Sequence, residues 1–261
     1  MRTKLVSLIL VLIFALDLSP VSAQDGEQHT VLFDGFSFSF DAALAANVNI
    51  WQYAGDPADR DGLPEPPFTM FVLYNERPAP ENVFDGRGGV YVYKTADLAG
   101  YTPYQDELAR FQTLLAERPD LTLSMATPEN VSDNTLPFLP IFPAAQVIRA
   151  RVQYVDMPSV SGISFITAYR EDAYPFLADG FLYTFQGLSA DGAYYVSAVF
   201  PLNTALFPTD MPADFDYDAF VENINAYFAE SVAALNRAAP EDFAPSLATL
   251  DVVIQSFVFE G

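Results

Sequence analysis

The alternation of apolar and polar positions is clearest over residues 180–201, GFLYTFQGLSADGAYYVSAVFP. Two strand-prone runs flank Asp191-Gly192, a dipeptide favoured in two-residue type I′ turns because both central residues need φ > 0. A two-residue loop there sets the register: Leu188 faces Tyr195, Phe185 faces Ala198 and Tyr183 faces Phe200. Side chains alternate faces along a strand. Tyr183, Phe185, Val196, Ala198 and Phe200 then share one apolar face, and Leu182, Thr184, Gln186, Leu188, Tyr195, Ser197 and Val199 a mixed one. Cross-strand aromatic and β-branched pairs contribute roughly 0.2–1 kcal/mol each. An isolated hairpin is marginal, so the apolar face requires a covering layer.

The rest of the chain predicts that layer and more strands. Residues 24–33 predict a flexible tail leading into a strand. FSFSF, residues 36–40, alternates strictly, and Asp41 can cap a short turn over 42–46. Strands are predicted over 48–53, over the continuously apolar run 68–74 and over 90–94, with loops at 56–67 and 75–89. Thr102-Pro103-Tyr104-Gln105 predicts a helix start, with Thr102 as N-cap, Pro103 at the first helical position and Gln105 closing a capping box. Tyr104, Leu108, Phe111 and Leu115 would be its buried stripe, and Pro119 its end.

Residues 120–143 have no clean period. Within them the proline-punctuated LPFLPIFP, 136–143, excludes a helix and suits an extended strip, either packed over the sheet edge or exposed as a docking site. In 146–155, Ile148, Ala150, Val152 and Tyr154 alternate with Arg149, Arg151 and Gln153, which predicts the arginines facing outward. Residues 162–170 pair with that strand, and the organising hairpin completes a four-strand meander. A helix over 217–237, with Asp216 as N-cap, carries Tyr217, Phe220, Val221, Ile224, Tyr227, Phe228, Val232 and Leu235 at helical spacing. Ser246 caps a last helix with Leu247, Leu250, Ile254 and Phe257 on one face. No repeat or linker interrupts residues 34–261, so one α+β domain is expected: a central antiparallel sheet with helices packed on it.

Composition adds compartment and charge. The opening MRTKLVSLILVLIFALDLSPVSAQ has two bases, an apolar run ended by Asp17 and small residues at Val21-Ser22-Ala23. That pattern predicts a signal peptide over 1–23, and the run is shorter than the ~20 residues a membrane span needs. Localisation is therefore expected to be secreted, periplasmic or in the cell envelope, with no membrane insertion after cleavage. The formal charge is −22, and removing a leader with two bases and one acid leaves −23, with Lys94 as the sole lysine. Such a surface repels nucleic acid. Cysteine is absent, which removes disulfides and thiolate chemistry.

Candidate chemistry is sparse. His29 is the single histidine and falls in the expected tail, which argues against a Ser-His-Asp triad. Gly86-Arg87-Gly88-Gly89 lacks nucleotide-binding spacing. Asp56, Asp59, Asp61 and Gly62 resemble part of an EF-hand loop, but Gly62 at the sixth position puts Pro57 first and Phe68 twelfth. Asp210, Asp214 and Asp216 are a candidate calcium site, against helix capping as the alternative. Arg149, Arg151 and Arg170 are a candidate site for an anionic ligand, against ion pairing with surface acids. No cofactor is expected apart from that calcium. A carboxylate-dependent hydrolase of glycosidase type needs only two suitably placed acids.

FSFSFDAALAANV at the start, GISFITAY and LYTFQGLSADGAYYVSAVFPL in the middle and Ser256-Phe257 after the last helix together resemble the PsbP-like α/β/α sandwich. That fold is shared by PsbP photosystem subunits and periplasmic DcrB-type lipoproteins, although this chain lacks their lipid-bearing cysteine. The resemblance implies a non-enzymatic role: a secreted acidic binding or interaction module with a protein or small-molecule partner.

Overall fold

The computed structural model describes residues 27–124 and 135–260; the expected leader, 1–23, lies outside them. Eleven strands and four α-helices follow in the order β1 (Gln28–Phe33), β2 (Phe36–Asp41), β3 (Asn47–Tyr53), β4 (Phe68–Tyr74), β5 (Gly89–Lys94), α1 (Thr102–Glu117), β6 (Ala145–Asp156), β7 (Val160–Arg170), β8 (Phe181–Ser189), β9 (Tyr194–Thr204), α2 (Tyr217–Glu222), α3 (Ile224–Arg237), β10 (Phe243–Ala244), α4 (Leu247–Gln255) and β11 (Val258–Phe259). The fold is mixed α+β with antiparallel sheets. The larger sheet has the order β3-β4-β5-β9-β8-β7-β6, with β10 beside β9, and the smaller the order β1-β2-β11.

The meander β6-β7-β8-β9 is present, with the expected pairs Leu188↔Tyr195, Phe185↔Ala198 and Tyr183↔Phe200. Alternation along its strands divides the core in two. Tyr183, Phe185, Val196, Ala198 and Phe200 join a cluster containing Phe36, Phe38 and Phe40 of β2, Phe228, Val232 and Leu235 of α3, and Leu250 and Ile254 of α4. Tyr93, Tyr195 and Phe165 join a second cluster with Tyr104 and Phe111 of α1 and Leu136, Phe138 and Leu139. Burying one such apolar side chain is worth about 1.5–3 kcal/mol. Phe257 sits just beyond α4 and packs edge-on against Phe36 and Phe38 at 5.4 and 6.0 Å.

Five expectations are corrected. Residues 28–33 are no tail: they form β1, whose pairs run from Gln28↔Asp41 to Phe33↔Phe36. His29 therefore lies in a strand, its ring 5.3 Å from that of Phe40. The type I′ turn falls at Asp34-Gly35, where φ is +50° and +77°. At Asp191-Gly192 only the glycine is left-handed, at +72°, and the turn is closed by the Gly192 N–H donating to the Ser189 carbonyl at 2.8 Å. The register survives because the loop still spans an even number of residues.

Thr102 lies inside α1 and makes no capping bond; Tyr101 is the N-cap, and Arg118 ends the helix at φ +46°. The helix expected over 217–237 breaks at Asn223 into α2 and α3, and α2 has no buried residue. In β6 the alternation fails at two bulges, between Gln146 and Ile148 and between Ala150 and Gln153. Each extra residue exchanges the faces. Ile148 and Ala150 thus join the first cluster and Val152 and Tyr154 the second, and Arg149, expected outside, is fully buried. Asp216 and Ser246 are N-caps as expected, accepting from Ala219 N–H at 3.1 Å and Thr249 N–H at 3.2 Å.

Candidate functional site

The proline-punctuated strip lies over the second apolar face as a strap, residues 136–142. Pro137 and Pro140 have no N–H to give, and a strap lying on a sheet face cannot join the ladder. Its buried peptide groups still need partners. Two glutamines on the sheet supply them. Gln146 Oε1 accepts from Leu136 N–H at 2.8 Å, and its Nε2 donates to the Leu136 carbonyl at 3.3 Å and to Tyr169 Oη at 3.1 Å. Gln186 Oε1 accepts from Leu139 N–H at 3.0 Å and Tyr195 Oη at 2.7 Å, while its Nε2 donates to Thr184 Oγ1 and Ser197 Oγ at 2.7 and 2.8 Å. Ser197 Oγ donates in turn to the Leu139 carbonyl. The Gln146 carboxamide thus imitates a neighbouring strand at Leu136, and Gln186 with Ser197 does so jointly at Leu139.

α1 closes the other side. Glu107 accepts from Phe138 N–H at 3.2 Å and pairs with Arg110, which also donates to Thr135. Between α1 and the strap runs a groove of about 700 Å³. Its apolar wall is a ring stack: Phe142 lies nearly parallel to Tyr169 at 4.6 Å, and Phe138 meets both edge-on at 5.6 and 5.3 Å. Burial pushes the Tyr169 hydroxyl up, so it stays neutral. Asp106, Glu107 and Arg110 form the polar rim. The Thr135 hydroxyl is engaged by Arg110, and among the described residues the lining carries carboxylates, Asp106 and Glu107, but no histidine or serine.

The three arginines do not form one site. Arg149 is buried in the sheet, and burial pushes its pKa down. Arg151, at φ +53° in the second bulge, is bonded to the end of α3: its N–H donates to Asn236 Oδ1 at 2.7 Å and its Nη1 to the Ala238 carbonyl at 2.6 Å. Arg170 lies over the Phe176 ring at 5.3 Å. Asp216 is taken by the α2 cap and Asp210 by Thr209. Among the described residues no group of three or more His, Asp or Glu side chains is placed to hold a metal. Asp56 instead clamps its own loop, accepting from Arg60 at 2.6 Å and Glu65 N–H at 3.1 Å. The Glu65 N–H, then Tyr53, hold the Asp56 carboxyl below its usual range, while burial and the Asp56 charge raise Glu65.

Sequence reasoning missed the glutamine clamps. Their signal was present: a carboxamide in mid-strand, in a chain holding a proline-broken apolar strip without a ladder of its own. No family model, curated protein or solved structure matches the chain.

Proposed function

We propose that this chain is an exported, acidic, non-enzymatic binding module that takes a small ligand with an aromatic or apolar body into the groove between α1 and the strap. The observation that carries this reading is the Phe138–Phe142–Tyr169 ring wall held between two fixed sides. Ligand pockets are typically apolar with a few fixed polar groups, and the Arg110–Glu107 pair fills that role at the rim. We read α1 with the strap, the large sheet, and α3 with α4 as the layers of an α/β/α sandwich of the PsbP-like kind. Export rests on the leader pattern of residues 1–23.

Titration with small aromatic probes (indole, p-cresol, benzoate), followed by ligand-observed NMR, tests the reading. A probe that binds the wild type should lose about tenfold or more in affinity, ~1.4 kcal/mol, in Phe142→Ala and Tyr169→Ala with circular dichroism unchanged. Binding that ignores both substitutions, or no binding across the panel, overturns it. The rival hydrolase has one observation in its favour, the opposite pKa shifts of Asp56 and Glu65. Turnover of chromogenic glycosides that Glu65→Gln abolishes would establish that rival instead.

A further inference from the structure

The first helical turns after Asp216 carry an apolar stripe that the fold leaves uncovered. Asn223, at φ −111° and ψ 7°, separates α2 from α3, and its Nδ2 donates back to the Ala219 carbonyl at 2.8 Å. α3 buries Phe228, Val232 and Leu235, whereas in α2 Tyr217 is 47% and Val221 40% exposed. Tyr174, at 41%, joins them from the loop after β7. The rings are in contact: Tyr174 lies 5.7 Å from Phe215 and 5.6 Å from Tyr217, Phe215 lies 5.5 Å from Phe220, and Phe220 lies 5.0 Å from Tyr227. Tyr227 stacks on the fully buried Phe176 at 5.6 Å and accepts its N–H at 2.7 Å. The exposed rings are thus the outer end of a ring series rooted in the core, and form a fixed ledge.

Charge says what can cover this ledge. The segments that build it, residues 171–180 and 203–223, contain eight acids and no lysine or arginine. Glu171, Asp172, Asp179, Asp210, Asp214, Asp216, Asp218 and Glu222 are all exposed. The nearest base in sequence, Arg170, is occupied over the inner ring of Phe176. A second copy of the chain would bring like charge against like charge. Exposed aromatic faces carried on acidic segments attract cations twice, through the ring quadrupole and through the carboxylate charge.

We propose that the α2 ledge docks a cationic amphipathic polypeptide segment, in which lysine or arginine alternates with apolar residues. The apolar side chains would cover Tyr217, Val221 and Tyr174, and the bases would meet the surrounding acids. This site is separate from the groove, and its fate does not depend on the groove reading.

A fluorescently labelled Lys/Leu-alternating peptide, titrated against the mature protein by anisotropy, is the probe. Binding is expected to weaken at least about tenfold between low and physiological salt, as charge-steered contacts do. Tyr174→Ala with Tyr217→Ala should lower affinity about tenfold or more, because aromatic anchors dominate such contacts. Both positions are exposed, so the double variant should keep the wild-type circular dichroism. Tyr169→Ala, in the groove, should leave peptide binding unchanged. Three results overturn the proposal: equal binding by wild type and the double variant, which marks generic attraction to a −23 chain; a Tyr217-dependent dimer in sedimentation; or binding of a neutral oligosaccharide at the ledge in place of the peptide.

Discussion

Asp-Gly stands at two hairpin tips and does different work in each. At Asp34-Gly35 both residues are left-handed, as a type I′ turn requires. At Asp191-Gly192 the aspartate is a clasp: its carboxylate accepts from Ser189 Oγ at 2.6 Å and from Ala193 N–H at 3.0 Å, and Ser189 Oγ accepts from Tyr194 N–H at 2.9 Å. Gly192→Val should therefore cost about 1–2 kcal/mol or more from backbone strain alone, since nothing lies within 4 Å of the added carbon. Asp191→Asn keeps an oxygen for both bonds and should melt close to wild type. Gly162→Ala tests a different constraint. Its added carbon would stand 2.2 Å from the Gln186 carbonyl oxygen and 2.7 Å from the Phe185 ring. Overpacking costs about 1–3 kcal/mol and this contact lies at the severe end, so Gly162→Ala should lower the melting temperature more than Gly192→Val. The reverse order would refute the β7–β8 pairing.

At the scale of elements, the caps and clamps give contrasting pairs. Ser246 accepts from Thr249 N–H, so Ser246→Ala should cost about 1 kcal/mol in urea unfolding. Thr102 makes no capping bond, so Thr102→Ala should be nearly neutral. A loss at Thr102 equal to that at Ser246 would mean the sequence-expected capping box forms after all. For the strap, Gln186→Leu leaves Leu139 N–H and Tyr195 Oη without the acceptor they share. Each buried unsatisfied group costs about 1–3 kcal/mol, so the unfolding midpoint should drop clearly with the urea dependence unchanged. An unaltered midpoint would show that the glutamine does not hold the strap. The helix break at Asn223 belongs to this scale too. The stripe from Tyr217 to Leu235 is continuous in sequence, yet only its second part meets the sheet layer.

For the molecule as a whole, charge dominates the expected response to solution conditions. Self-repulsion of a −22 chain weakens as pH falls towards the isoelectric point near 4.1. Glu65, raised by burial, acts in the same direction: its contribution is present below its ordinary pKa and lost as pH rises through the raised value. Asp56, Asp156 and Asp191 are lowered by the Glu65 N–H, by Arg118 and by the Ser189 hydroxyl respectively. Their contributions are present above the ordinary carboxylate range and lost as pH falls through the depressed values. The melting temperature should therefore rise from about pH 8 to about pH 5 and fall again below about pH 4; a monotonic fall from pH 8 downwards would refute this. Calcium and magnesium should raise it equally by screening, and a rise with calcium alone would restore a site at Asp210, Asp214 and Asp216. The meander, the register of its β8–β9 hairpin, the need for covering helices and the caps at Asp216 and Ser246 were determined by sequence, because period-2 alternation and cap chemistry act between neighbours. Tertiary structure alone decided that β5 lies beside β9, that Val258 pairs with Ser37, and that Gln146 and Gln186 hold the strap. It also placed the bulges that carry Arg149 inside. Each of these depends on a partner far along the chain, or on a one-residue shift that exchanges the faces of a strand, and neither leaves a local periodic signal.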